Sequence, residues 1–297
     1  MSRLIKHEAF FKSPASGLYI PVQSFGPELL VNGDFSDGLN GWTKLNDNGS
    51  TATITETAPD GSPGTGAATW NNSGSAVFVL LRQTVYTAGK WYETRGSMTA
   101  YTGGRMDIVS GGAVPVSPLS SVRSVRRVER AVGTDLTLQP GGALPRLFTS
   151  DDWGVKELTI PAEQTAPSAD MDITFLYTLP VTPLADDRVF LLGRISSFSS
   201  GNYWLVMLGY TGSQWNVTLY SVASHTRTQQ KTASNVGSTN GLRFYANGTT
   251  IRMYTTADSG ANWTQRDTDL TSSTYQTATG YNAFAGSEVT LGALSAA

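Results

Sequence analysis

The sequence predicts an all-β protein: two tandem β-sandwich (jelly-roll) domains preceded by an extended N-terminal arm. Three observations carry this. Short stretches alternate apolar and polar residues, as half-buried strands do. Turn dipeptides rich in Gly, Asn and Asp separate them, and no amphipathic helical stretch of useful length occurs. The chain has 297 residues, enough for two domains of ordinary size, and only 15% of them are charged.

In chain order, residues 1–27 read as an arm. Phe10, Phe11, Tyr19, Ile20 and Phe25 are apolar, but Pro14, Gly17, Pro21, Gly26 and Pro27 break any regular element. Such a segment cannot bury itself alone. It either drapes over the first sandwich or anchors the chain to other subunits.

The first sandwich spans 28–160. Leu29–Val31 is a strand seed, Asn32-Gly33 a tight turn, and Phe35 and Trp42 fold back as apolar anchors. Strands are expected at Thr51–Thr57, Gly66–Asn71, Ala76–Val85, Trp91–Thr99, Arg105–Ser110, Ser124–Ala131, Asp135–Gln139 and Val155–Ile160. Ser124–Ala131 and Asp135–Gln139 read as a hairpin about Gly133, and 111–121 as a loop. Residues 161–170 read as a linker. The second sandwich, 171–297, carries strands at Met171–Thr178, Arg188–Ser196, Tyr203–Gly209, Trp215–Val222 and Arg227–Ala233. Its clearest hairpin is Leu242–Ala246, Asn247-Gly248, Thr249–Tyr254, with the Asn-Gly suited to a type I′ turn.

Composition narrows the function. A net charge of −2 sets up no field for nucleic acid or an anionic membrane. Among Arg123, Arg126, Arg127 and Arg130 no aromatic is interleaved, so a solvated strand edge or a subunit contact is expected there. No apolar run is long enough to span a bilayer. The chain has no Cys, and Met1–Lys12 lacks the apolar core of a signal peptide. The expectation is folding in a reducing cytoplasm.

Catalytic chemistry finds little support. Glu93, Asp107, Glu129 and Glu157 lie on expected strands with nothing to pair them as a glycosidase requires. His7 and His225 fall in the arm and in a turn, away from any triad or metal pattern. The chain is expected not to be an enzyme. Thr256–Trp263 matches "S/T-x-D-x-G-x-x-W", and so resembles the Asp-box turn of sialidase propellers. A propeller would repeat it once per blade, and here it occurs once.

Glycan binding needs aromatic rings to lie against sugar faces and polar groups to bond hydroxyls. The candidates are Trp70, Asn71 and Tyr101 in the first domain and Tyr203, Trp204, Trp263 and Tyr281 in the second. For each aromatic the competing reading is a core ring. Trp42, Trp91 and Trp153 are assigned to the core.

Three stretches carry a family likeness. Glu28–Trp42 resembles the opening of family 4/9/22-type carbohydrate-binding modules, "LL-x-N-G-x-F-E-x-G-x-x-x-W". Tyr86–Tyr92 is similar to their "L-x-A-G-K-x-Y", and Asp151–Leu158 to their closing "DD-V-x-V-x-x-L". The resemblance covers 28–160. The second half is similar to laminin-G or concanavalin-like jelly rolls in rhythm only. Such modules often hold a structural calcium between first and last strands, which the resemblance places at Asp34 and Asp152. Ser36 stands where the family has a Glu, and turn-capping is the alternative role for both Asp residues. No other cofactor is implied.

Modules of this kind recur in glycan-active enzymes and in tailed-phage structural proteins. With no Cys and no export signal, the resemblance implies a non-enzymatic virion surface protein, a fibre, spike or decoration subunit made in the bacterial host cytoplasm. Its expected partners are other virion proteins through the arm, further copies of itself, and host-surface polysaccharide, without nucleic acid or membrane insertion. Two alternatives stand: a purely structural capsid or tail building block, and the non-catalytic glycan-binding part of a bacterial polysaccharide-degrading system.

Overall fold

The structure is a computed structural model that describes residues 23–45, 52–57, 66–72, 79–102, 105–110, 116–119, 123–141 and 146–297. Of the expected anchor residues, Phe10, Phe11, Tyr19 and Ile20 lie outside these. The protein is all-β, and the described residues hold strands and turns without a helix. It divides into two compact units. The N-terminal unit comprises Phe25–Thr159 with Leu184–Asp187, and the C-terminal unit comprises Ile160–Pro183 and Arg188–Ala297 with Gln23 and Ser24.

The strands of the N-terminal unit are β1 (Ser24–Glu28), β2 (Thr43–Leu45), β3 (Ala52–Thr57), β4 (Ala67–Asn72), β5 (Leu80–Thr84), β6 (Trp91–Tyr101), β7 (Arg105–Ser110), β8 (Val116–Leu119), β9 (Arg123–Arg130), β10 (Asp135–Gly141) and β11 (Arg146–Thr159). One sheet has the order β3-β4-β11-β6-β9, with β1 also on β11, and the other β2-β5-β10-β7-β8. Both feed one core: Trp70, Tyr92, Met98 and Val155 from the first, Leu81, Met106, Leu136 and Leu138 from the second. Each such side chain contributes about 1.5–3 kcal/mol by leaving water.

The opening loop is built around Asn32. Its side-chain amide donates to the carbonyls of Asp37, Gly38 and Asn40 at 2.9–3.2 Å, and its Oδ1 accepts from Asp37 N. Its carbonyl accepts from Trp42 Nε1 at 3.0 Å, and Trp42 stacks on Phe35 with centroids 5.2 Å apart. Asn32-Gly33 is expected as a tight turn because both residues tolerate positive φ; in this stretch positive φ occurs at Asn32 (52°) and Phe35 (53°). Gly33 is required by close approach instead. A Cβ there would lie 1.7 Å from the Trp153 carbonyl oxygen, and Trp153 N donates to Gly33 O at 2.7 Å.

Several expectations are corrected here. Phe25 is half-buried in β1, so it belongs to the sheet system and not to a free arm. Gln23 is also tied down, exchanging side-chain hydrogen bonds with the Ala285 backbone. β9 and β10 lie in different sheets and form no hairpin. The chain from 131 to 134 is a corner between sheets, stapled to another corner: Thr134 O accepts from Val85 N and Tyr86 N, and Ala131 exchanges bonds with Gly89 and Lys90. Part of the expected loop 111–121 is β8, an edge strand on β7.

The C-terminal unit contains β12 (Gln164–Thr165), β13 (Met171–Thr178), β14 (Arg188–Ser197), β15 (Asn202–Tyr210), β16 (Trp215–Ala223), β17 (Thr226–Ala233), β18 (Gly241–Asn247), β19 (Thr250–Thr256), β20 (Thr264–Gln265), β21 (Leu270–Thr271), β22 (Gly280–Ala285) and β23 (Thr290–Ala296). Its sheets run β12-β22-β14-β15-β16-β17 and β20-β19-β18-β13-β23, with β21 on β19. Residues 161–170, expected as a linker, are part of this unit: β12 pairs with β22, and Ala166 is buried in the core. The segment Leu184–Asp187 instead joins the N-terminal unit. Arg126 N donates to Ala185 O at 2.8 Å, Val125 and Ala185 form a parallel bridge, and Ala185 enters that core.

Candidate functional site

The β18–β19 hairpin carries the most site-like surface. Leu242, Phe244 and Ala246 of β18 and Ile251 and Met253 of β19 point into the core. Period-2 alternation therefore sends Arg243 and Tyr245, and Arg252 and Tyr254, to the opposite face, where all four are half-buried. The register pairs Arg243 with Tyr254 and Tyr245 with Arg252, so cations and rings alternate like a checkerboard. The Arg243 guanidinium lies 4.9 Å from the Tyr254 ring centroid and 5.9 Å from that of Trp263; Arg252 lies 5.4 Å from Tyr245. The Trp263 ring reaches beside Gly241 and Gly260, where Leu176 also approaches.

Carboxylates close the pattern. Asp172 of β13 accepts from Nε of Arg243 at 2.6 Å and also from its Nη2. Asp269 accepts from Nε and Nη2 of Arg252 at 2.7 and 2.6 Å, and from Gln265 Nε2 at 2.9 Å. Two-point pairing fixes each planar guanidinium in orientation. The hydrogen bond to Asp172 raises the Arg243 pKa, and that to Arg252 holds Asp269 below the usual carboxylate range. Beside them Thr174 and Ser295 share a hydroxyl bond of 2.7 Å.

Two turns position this face. The tip of the hairpin is Gly248-Thr249, because Asn247 pairs with Thr250. Positive φ falls at Gly248 (54°) and not at Thr249, which fits a type II′ turn and corrects the expected type I′. Arg194 of β14, fully buried, holds the tip: its Nη2 donates to Gly248 O at 2.8 Å and its Nε to Ala169 O at 2.9 Å. Asp170 accepts from Gly248 N at 2.7 Å. The Thr256–Trp263 turn is held by Asp258, which accepts from Thr256 Oγ1, Asn262 N and Asn262 Nδ2. These bonds, the Thr256 hydroxyl first, bring its pKa down to about 2.

Of the sequence-derived glycan candidates, the structure brings only Trp263 to this face. Trp70 is 1% exposed, Trp204 1%, Tyr203 4% and Tyr281 5%, so these four are core rings and are withdrawn as sugar platforms. Turn-like neighbours suggested that Trp70 could leave the core, but it sits on the inward parity of β4. Trp204 Nε1 is satisfied internally by Thr274 O. Asn71 is exposed, and Tyr101 is half-buried against the core. Trp42 and Trp153 are buried as expected, while Trp91 is half-buried. Arg243, Tyr245, Arg252 and Tyr254 were missed. The signal was present, since all four share one parity in the clearest hairpin of the chain.

The implied calcium does not fit the described residues. The Gly33–Trp153 bond does bring together the segments that carry Asp34 and Asp152. However, Asp34 Oδ1 accepts from Ser36 N at 3.1 Å and Ser36 Oγ at 2.8 Å, which is turn capping. Asp152 is exposed, with φ of 53° at a break in the β11–β6 register. Among the described residues no group of three or more acidic, His or Cys side chains is placed to hold an ion.

The Arg cluster is also not a solvated edge. Arg126 and Arg127 are buried; Arg126 Nη1 lies 3.1 Å from Asp187, Arg126 Nε 4.0 Å from Glu93, and Arg127 Nε 2.7 Å from Glu129. Burial pushes the Asp187 pKa up, against the pull of Arg126. The four carboxylates weighed for hydrolysis are dispersed: Glu93 and Glu129 lie in these pairs, Glu157 is on Lys90 at 2.8 Å, and Asp107 is buried on β7.

The chain matches no protein-family model, and comparison with curated proteins and with solved structures returns no significant match.

Proposed function

We propose that this chain is a non-enzymatic surface protein of a tailed-phage-like particle that contacts host-surface glycan through the outer face of β18 and β19. The observation that carries the glycan part is the half-exposed Tyr245, Tyr254 and Trp263, set among Arg243, Arg252, Gln265 and Asp269. Half-buried rings on the outer face of a sheet can receive the apolar face of a sugar, and the flanking polar groups can bond its hydroxyls. The particle setting is supported by the likeness of 28–160 to carbohydrate-binding modules and by the Cys-free, weakly charged composition. The test is Trp263→Ala, with melting and host-polysaccharide binding measured separately. Lost binding with little change in melting supports the reading, and unchanged binding sinks it.

A second reading has its own support. Both arginines are already held by carboxylates and lie over rings, which is what a ladder serving sheet stability alone would look like. In that case the chain is a building block without a ligand. Trp263→Ala would then lower melting while no glycan binds the parent protein.

A further inference from the structure

We infer that the ligand of the β18–β19 face is an uncharged pyranose chain and not an acidic polysaccharide; this rests on the glycan-contacting reading above. A site for an acidic sugar presents cations whose charge is not already matched by a carboxylate of the protein. Here Nε and Nη2 of Arg243 are taken by Asp172, and the same two atoms of Arg252 by Asp269. An incoming carboxylate would have to displace a carboxylate already held in two-point geometry, or settle beside it. Asp258, ionised down to about pH 2, adds a further negative charge at the Trp263 end. The field over the face therefore does not favour an anion.

What the face does leave open is neutral. Among the described residues, the Tyr245 hydroxyl and Trp263 Nε1 make no hydrogen bond, and Gln265 spends its Nε2 on Asp267 O and Asp269 while its Oε1 stays without a partner. Two potential donors and an acceptor of this kind match sugar hydroxyls, which both donate and accept. The rings beside them match the C–H faces of a pyranose. Tyr245 and Tyr254 lie diagonally across adjacent strands, with Trp263 beyond Arg243. The three rings are therefore staggered down the length of β18 and β19, so the chain would lie along the hairpin and not across it.

The experiment is affinity electrophoresis of the full chain through gels containing neutral polymers (β-glucan, mannan, galactan) or acidic ones (alginate, polygalacturonate, polysialate), at low and high salt. Retardation by at least one neutral polymer is expected, and it should persist in high salt because no ionic contact is screened. Trp263→Ala and Tyr245→Ala should each weaken it roughly tenfold, with melting little changed. Retardation by acidic polymers alone, abolished by salt, would overturn the neutral-ligand inference and leave the glycan-contacting reading standing. Retardation by neutral polymers that survives both substitutions would place the site elsewhere and overturn the inference. No retardation by any polymer would overturn both.

Discussion

Trp70 and Trp263 have the same side chain and opposite circumstances. Trp70 is 1% exposed between the two sheets of the N-terminal unit, and its Nε1 has no partner among the described residues. Trp263 is half-buried over the outer face of the β18–β19 hairpin. Trp70→Ala is expected to cost about 3–5 kcal/mol of unfolding free energy through lost burial and a cavity. Denaturant unfolding of that variant measures it; a change under about 1 kcal/mol would show that the site is not tightly packed core. The buried charges give a parallel case. Removing Arg126 would leave Asp187 and Glu93 without their shared cation, so Arg126→Ala should cost about 3–5 kcal/mol, also read by denaturant unfolding. Pairing it with Asp187→Leu should recover part of that loss. A double variant no better than the single one would mean that Asp187 is not the partner that matters.

At the scale of elements, the Asp258 turn shows how a short motif sets a functional surface. Its carboxylate binds three donors from the seven residues Thr256–Asn262, and Asn262, which supplies two of them, is followed directly by Trp263. Because the folded pKa of about 2 lies below the ordinary aspartate value of 3.8, ionised Asp258 stabilises the fold above the unfolded pKa, and the benefit disappears as pH falls through the folded one. Asp267 and Asp269 are lowered in the same direction. The melting difference between the parent and Asp258→Ala should therefore be steady from neutral pH to about 4 and shrink toward 2. A difference that grows on acidification would contradict this. Much of this element was legible in advance: the turn motif, the hairpin, and the parity that separates Arg243 and Tyr245 from Leu242 and Phe244. Alternation reports which side of a strand faces the core, but not which sheet the strand joins. Hence β9 and β10, sequential and both alternating, read as a hairpin in the sequence although they lie in different sheets. The Asn-Gly dipeptide located the turn but missed its frame by one residue, because only the ladder Asn247–Thr250 fixes which residues are the loop.

For the whole molecule, the all-β class followed from composition and turn spacing, while the unit boundaries depended on contacts far apart in sequence. Leu184–Asp187 leaves the C-terminal unit to bridge Val125 and bond Arg126, and no local signal in Leu184-Ala185-Asp186-Asp187 announces it. The arm needs a similar revision. Its last residues are integrated, with Gln23 bonded to Ala285 and Glu28 accepting from Leu29 N, Leu30 N and Val155 N. A truncation that tests the anchor proposal must therefore stop at residue 22, since removal of β1 would damage the sheet it joins. Phe10, Phe11, Tyr19 and Ile20 lie outside the described residues, and in the sequence they are accompanied by Pro14, Gly17 and Pro21. Deleting residues 1–22 is expected to leave the melting of both units unchanged and to abolish co-assembly with particle proteins. Normal incorporation of the truncated chain would remove the arm as the anchor. A lowered melting temperature would show instead that the arm covers the fold, and the attachment surface would then have to be sought on the units themselves.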